Sequence, residues 1–263
     1  MVKKRDYLNI LVVVLIAILA INILTSSFAG KELSKKLDAK IEASKPVEIS
    51  IIKITVDCPD CFNVDSIVSN LKSLNVNVTE EKVININEFE AKELASRYKI
   101  DKLPVLILSS DAKNYKTVTD VWNEVGSIEE DGSFVLRRIN PPYKDLKTNE
   151  IKGLVKLTLL SDTSCKDCYD VTKQKLALER LRIFINNEQT IDIATKEGKA
   201  LIETYKIIKV PTILLSQEAV DYPQFDLIWS SVGDVADDGT LVFRTVEVMG
   251  TYKDLSQNKI IKV

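Results

Sequence analysis

Residues 49–61 read Ile-Ser-Ile-Ile-Lys-Ile-Thr-Val-Asp-Cys-Pro-Asp-Cys, and this stretch decides how the whole chain is interpreted. Residues 49–56 are mostly apolar and β-branched, which predicts a buried strand. Cysteines follow at positions 58 and 61, and apolar residues then recur at helical spacing from Val64 to Leu74. The stretch therefore predicts a strand, a Cys-x-x-Cys pair and a helix whose first turns contain the second cysteine.

The same pattern occurs a second time, 107 residues further along the chain. Cys58 and Cys61 recur as Cys165 and Cys168. Other residues that recur at this offset are Tyr98, Lys99, Ile100, Pro104, Trp122, Gly126, Asp131, Gly132 and Arg137. A shared register over about eighty residues indicates two repeats of ordinary domain size, which we place at residues 46–152 and 153–263.

Each repeat shows the same predicted order of elements after its cysteine pair. Short strands are predicted at residues 82–87 and 189–194, and a second helix follows each of them. Apolar strands then open at Pro104 and Pro211, and each Trp-to-Arg segment is predicted to be a β-hairpin with Asp-Gly in its middle. Because strand–helix–strand units favour a parallel crossover, the fold class is α/β, with a mixed sheet and flanking helices.

A Cys-x-x-Cys pair at a helix start has a specific chemistry. The unpaired backbone N–H groups and the helix dipole favour thiolate over thiol, which lowers the pKa of the leading cysteine. Such a thiolate attacks a substrate disulfide, and the second cysteine resolves the mixed disulfide. We therefore predict Cys58 and Cys165 as nucleophiles, with Cys61 and Cys168 as resolving thiols.

Each repeat resembles a thioredoxin-fold domain, on the evidence of its cysteine pair, the following strand and helix, and a proline that opens the next strand. The tandem arrangement is similar to protein disulfide isomerases and to archaeal protein disulfide oxidoreductases. The resemblance implies that Pro104 and Pro211 are cis and lie beside the cysteines. It also implies that Leu103 and Val210, the residues before them, offer their backbones to an extended substrate peptide.

Three features of the thioredoxin pattern are missing. The common tryptophan before the first cysteine is replaced by Asp57 and Ser164. The buried acid of the preceding strand has no counterpart, because Ile52 and Leu159 occupy its place. No helical pattern follows the predicted hairpins. The dithiols are unaffected by these departures.

The amino terminus predicts a membrane segment. Residues 7–30 contain no charge, and Lys3, Lys4 and Arg5 precede them. A helix of this length spans a bilayer core of about 30 Å. We interpret residues 1–30 as a transmembrane anchor or, alternatively, a cleaved signal segment, with residues 7–29 in the lipid and residues 31–45 as a charged stalk. Both alternatives place the two repeats outside the cytoplasm, in the periplasm or at the cell surface.

Composition excludes several classes of function. The chain has 263 residues and no histidine, which excludes histidine-dependent triads and histidine-ligated metal sites. A formal net charge of −2 argues against a nucleic-acid surface. The cysteine chemistry calls for no cofactor, and we assign no metal ligand.

The combined prediction is a membrane-anchored thiol–disulfide oxidoreductase or isomerase. Its partners are protein thiols and disulfides, a redox partner that resets the cysteines, and the bilayer. Two alternatives remain open at this point. One is a non-catalytic scaffold that holds partner strands at a sheet edge, and the other is metal binding through the cysteine pairs.

Overall fold

The first strand of each repeat lies at the centre of a mixed β-sheet. The computed structural model describes residue 35, residues 46–223 and residues 225–263. The predicted membrane segment at residues 1–30 and the stalk at residues 31–45 lie outside the described residues, apart from Lys35. No helix in the described part of the chain has the length and apolar character to span a bilayer.

The first repeat contains eight strands and three α-helices among the described residues. Its elements are β1 (Glu48–Thr55), α1 (Asp65–Ser73), β2 (Asn77–Asn85), α2 (Phe89–Arg97), β3 (Lys102–Leu103), β4 (Val105–Leu108), α3 (Lys116–Val125), β5 (Gly126–Ile128), β6 (Phe134–Leu136), β7 (Tyr143–Asp145) and β8 (Glu150–Lys152). The strand β2 begins earlier than the predicted residue 82, because its first half is a polar sheet edge with no apolar pattern to reveal it.

The second repeat has the same order of elements. They are β9 (Val155–Ser161), α4 (Gln174–Arg180), β10 (Ile185–Asp192), α5 (Lys196–Thr204), β11 (Lys209–Val210), β12 (Thr212–Leu215), α6 (Phe225–Trp229), β13 (Gly233–Val235), β14 (Leu241–Phe243), β15 (Tyr252–Asp254) and β16 (Lys259–Ile261). A 3₁₀ turn at Val171–Lys173 leads directly into α4.

The five-stranded sheets have the orders β2-β1-β4-β6-β5 and β10-β9-β12-β14-β13. In both, the first strand is parallel to the second and antiparallel to the strand that follows the proline. This arrangement of the first four paired strands is that of a thioredoxin-like domain. The predicted α/β class and parallel crossover are confirmed.

The predicted Trp-to-Arg hairpin is correct only in its second part. Strands β5 and β6 form the hairpin, with Asp131 and Gly132 at its turn. Trp122 instead lies on α3, because Val118, Trp122 and Val125 recur at helical spacing and their side chains pack into the core. Trp229 likewise lies on α6. Both indoles are buried core residues, as predicted, but on helices rather than on strands.

Each repeat ends in a second small sheet instead of a helix. Strands β7 and β8 form a hairpin that pairs with β3, and β15 and β16 form one that pairs with β11. Across the described residues 138–152 and 245–263 there is no α-helix, as the missing helical pattern indicated. The two hairpins therefore lie next to the short strands that precede Pro104 and Pro211.

Candidate functional site

Each Cys-x-x-Cys pair forms a disulfide in the loop that follows the first strand of its repeat. We call Cys58–Cys61 site 1 and Cys165–Cys168 site 2. The Cα atoms of each pair are 5.4 Å apart. Both cysteines of site 1 are partly exposed, whereas Cys165 of site 2 is only 9% exposed. The two sites therefore share their covalent geometry and differ in access.

The cysteines do not lie in the first turns of a helix, which corrects the sequence prediction. Helix α1 begins at Asp65, seven residues after Cys58. The side chain of Asn63 accepts the amide of Asp65, and at the matching position Asp170 caps the 3₁₀ turn by accepting the amide of Thr172. These polar residues, two positions after each second cysteine, provide the capping oxygens. The helix N–H groups invoked for the thiolates are therefore absent from the cysteines.

The prolines that open β4 and β12 lie where the resemblance implied. The bonds Leu103–Pro104 and Val210–Pro211 are both cis. At site 1, the side chains of Cys58, Cys61 and Pro104 line one open groove of about 320 Å³. The structure thus brings the predicted cysteines and proline of the first repeat together.

The backbones before these prolines are not open to solvent. Leu103 pairs with Lys144 on β7, and Val210 pairs with Lys253 on β15. Leu103 and Val210 are both fully buried. The edge that the resemblance assigns to a substrate peptide, or that a scaffold would offer to a partner strand, is therefore occupied within the chain by the terminal hairpins.

A buried lysine lies beside site 1. The Lys53 ammonium, on β1, contacts Asp65 at 2.8 Å and Glu81 at 2.9 Å, and Glu81 also pairs with Lys72. The hydrogen bond from Lys53 to Asp65, and next the one to Glu81, raise the pKa of Lys53. Among the described residues that line the groove, Lys53 is the only cation.

A buried aspartate lies beside site 2. The Asp162 carboxylate pairs with the Lys253 ammonium at 2.7 Å and also accepts the amide and hydroxyl of Ser164. Its backbone carbonyl accepts the amide of Cys165 at 3.0 Å. Burial by itself raises the pKa of Asp162, but Lys253 and Ser164 together outweigh it and hold this pKa below its usual value.

Asp162 exists because the loop before site 2 is one residue longer. Val105 pairs with Ile54, whereas its counterpart Thr212 pairs with Leu160, only 106 residues after Ile54. The first strands are therefore offset by 106 residues and the cysteines by 107. Residues 162–164 connect β9 to Cys165, where two residues suffice in the first repeat.

The residue after the second cysteine also differs between the repeats. At site 2 the buried Tyr169 hydroxyl donates to the Pro211 carbonyl at 2.7 Å and accepts from the Gln174 amide at 2.7 Å. Burial raises the pKa of Tyr169. At site 1 the matching residues are Phe62 and Ile67, so this connection cannot form.

The remaining repeated residues hold the fold and lie away from the cysteines. Arg137 donates to the Tyr98 and Lys99 carbonyls at the end of α2, and Tyr98 donates to Asp131 at the β5–β6 turn. Arg244, Tyr205 and Asp238 repeat this arrangement. Gly126 leaves no room for a Cβ beside the Trp122 indole. Identity between the repeats outside the cysteines and prolines therefore reflects packing.

Sequence reasoning missed Lys53, Asp162 and Tyr169. Lys53 had a visible signal, since it interrupts an apolar strand. Asp162 and Tyr169 had a weaker one, since they differ from the first repeat next to an otherwise repeated motif. Within the described residues, no three Cys, Asp or Glu side chains cluster as a potential metal site.

Comparisons with known proteins give only distant likenesses. No protein-family model matches the chain, and a search of curated proteins finds no match. Among solved structures it is similar to the alkylhydroperoxide reductase AhpF of Enterococcus faecalis, with 21% identity over 70% of this chain and 88% of that chain and a TM-score of 0.22. A second structure, of the NTD_N/C domain of AhpF, gives 17%, 83%, 99% and 0.22 in the same order. A protein disulfide oxidoreductase from Aeropyrum pernix gives 10%, 66%, 78% and 0.18. The fold assignment therefore rests on strand order and on the placement of the cysteines and prolines.

Proposed function

From two thioredoxin-like repeats, each with a cysteine pair in the loop after its first strand, we propose that this chain is a thiol–disulfide oxidoreductase or isomerase that acts on protein disulfides. The observation that carries the proposal is the open groove at site 1, where Cys58, Cys61 and Pro104 meet. A sulfur in an open groove is accessible to an attacking thiolate, which is the requirement for exchange.

In the reducing direction, the Cys58 thiolate attacks a substrate disulfide, and one substrate sulfur leaves as a thiolate that takes a proton from water. The Cys61 thiolate then attacks the Cys58 sulfur and releases the second substrate thiol. Two electrons pass from the chain to the substrate, and the chain is left with the disulfide seen here. Cys165 and Cys168 have the same roles at site 2.

The test is reduction of insulin by dithiothreitol, catalysed by the full-length chain in detergent. Turnover is expected for the native chain and is expected to disappear when all four cysteines are replaced by serine. Replacing only Cys61 and Cys168 by serine should trap a mixed disulfide with insulin that mass spectrometry detects. Absence of both turnover and trapped complex would exclude the proposal and favour the scaffold alternative.

We also propose that the chain is anchored by residues 7–29 with both repeats outside the cytoplasm. The support is the charge-free run after three basic residues, together with the persistence of disulfides outside the cytoplasm. A membrane-impermeant maleimide, added to intact cells after reduction, should label the cysteines. Labelling only after lysis, or recovery of the chain in a carbonate-washed supernatant, would contradict this placement.

A further inference from the structure

The two disulfides sit behind hairpins that are fastened differently. In both repeats the terminal hairpin pairs with the residue before the proline, and the residue after the second cysteine donates its amide to that hairpin. These amide bonds run from Phe62 to the Pro142 carbonyl at 2.7 Å and from Tyr169 to the Thr251 carbonyl at 2.8 Å. The backbone connections are thus matched, and any difference in access must come from side chains.

At site 2 a buried ion pair joins the hairpin to the loop that carries the cysteines. Lys253 lies on β15 opposite Val210, and its ammonium contacts Asp162, three residues before Cys165. The Asp162 side chain is 4% exposed and the Lys253 side chain 20%. A second, exposed pair joins Lys262 to Asp167, which lies between the two cysteines, at 2.9 Å.

At site 1 the corresponding lysine does not make this connection. Lys144 occupies the place of Lys253 on the hairpin, and its ammonium donates to the Asn149 carbonyl of the same hairpin at 2.5 Å. The one-residue-shorter loop of site 1 has no counterpart of Asp162. Hairpin β7–β8 is therefore held over Leu103 by backbone pairing without a buried ion pair to the cysteine loop.

We propose that the Lys253–Asp162 pair determines which disulfide a polypeptide thiol reaches, so that site 1 exchanges with protein substrates and site 2 exchanges with small thiols alone. The burial of Cys165 and the partial exposure of Cys58, Cys61 and Cys168 support this division. A small thiol reaches the partly exposed Cys168, but a thiol on a chain needs the hairpin displaced. This inference rests on the proposed thiol–disulfide exchange.

The reaction to be followed is reduction of each disulfide. One probe thiolate attacks a cysteine sulfur and breaks the disulfide, and the other cysteine leaves as a thiolate. A second probe thiolate attacks the mixed disulfide and releases the dithiol and the oxidised probe. Two probe thiols give up two electrons and two protons, and the chain gains both.

The experiment compares two probes at each site of the full-length chain. One protein carries Cys165→Ser and Cys168→Ser, the other Cys58→Ser and Cys61→Ser. Reduced glutathione and an unstructured ten-residue peptide with one cysteine are the probes, and quenched alkylation with mass spectrometry gives the rates. We expect the peptide-to-glutathione rate ratio to be at least about tenfold higher at site 1 than at site 2. Equal ratios would overturn the proposal.

Variants of the ion pair then test its cause. Asp162→Asn and Lys253→Met, in the protein that retains site 2, should raise its ratio by about tenfold. Lys144→Met, in the protein that retains site 1, is the matched control and should leave the ratio unchanged. A ratio at site 2 that stays low in folded Asp162→Asn and Lys253→Met proteins would refute the role of the pair. Because the ratio compares two probes on one disulfide, a change in redox potential cancels.

The measurement also separates this proposal from the proposed function. Failure to turn over insulin would count against the enzyme, while the two ratios would still report access to each disulfide. Comparison of the two single-site proteins needs no variant of the ion pair, so a misfolded variant would leave the main outcome intact.

Discussion

The Tyr169 hydroxyl donates a hydrogen bond to the carbonyl oxygen of Pro211, and so connects the residue after Cys168 to the loop that opens β12. In thioredoxin-like domains these two loops flank the disulfide from opposite sides. Their connection at site 2 passes through a buried hydroxyl that also accepts from Gln174, and the first repeat has apolar residues at both positions.

Tyr169→Phe should destabilise the protein, because it leaves the buried amide of Gln174 without its acceptor. The expected loss is about 1–3 kcal/mol in the free energy of unfolding, measured by urea denaturation. Adding Gln174→Ile gives the pair found in the first repeat, Phe62 and Ile67, and should recover most of the loss. If the double variant is as unstable as the single one, the unpaired amide is not the cause.

Asp162 should make stability depend on pH. Its pKa is held below the unfolded value, so its ion pair stabilises the fold above about pH 4 and loses this effect as the pH falls through the lower folded value. Asp162→Asn should therefore cost about 2 kcal/mol at pH 7 and much less at pH 2. Urea denaturation at both values checks this.

The nearest other acid is Asp192, whose pKa is lowered by the amides of Thr163 and Ala194. It titrates in both the native protein and the Asp162→Asn variant, so the difference between the two isolates Asp162. A penalty that is the same at pH 7 and pH 2 would show that the ion pair does not form in solution.

Arg137 should matter for stability and not for exchange. Arg137→Ala removes the donors that satisfy the carbonyls at the end of α2, and an expected loss of about 2 kcal/mol follows. Arg138→Ala is the control, because the neighbouring arginine is exposed. Urea denaturation should separate the two variants, with insulin reduction at 25 °C unchanged in both. Equal stability of the two variants would contradict the assigned role.

Gly126→Ala should also destabilise the first repeat. An added Cβ would collide with the Val135 carbonyl and with the Trp122 indole nitrogen at 2.6 Å. Overpacking of this kind costs about 1–3 kcal/mol. Val121→Ala, at an exposed position on the same helix as Trp122, is the control. Thermal unfolding followed by tryptophan fluorescence would show the difference, and a native-like midpoint for Gly126→Ala would contradict it.

The sequence predicted the parts of the fold that depend on periodicity and on repetition. The buried strand at residues 49–56, the helix α2 and the strand after Pro104 follow from apolar spacing, which reports burial directly. The displaced start of α1 could not be predicted in the same way, because it depends on which polar side chain, Asn63 or a more distant one, meets the first free amide.

The terminal hairpins and the charged pairs depend on contacts between distant segments. Pairing of Leu103 with Lys144, and of Asp162 with Lys253, joins residues 41 and 91 positions apart. No local pattern encodes such contacts. The single residue that lengthens the loop before Cys165 was likewise hidden, because the repeats were aligned on their cysteines, where the offset is 107.

That single residue also records how the two halves diverged. An ancestral segment that was copied whole would give halves in step from end to end, and one codon gained or lost before the cysteines breaks the step there alone. The sheet kept its order while the extra length went into the loop. A change of one codon at that point was enough to give one half of a duplicated protein a carboxylate that the other half has no place for.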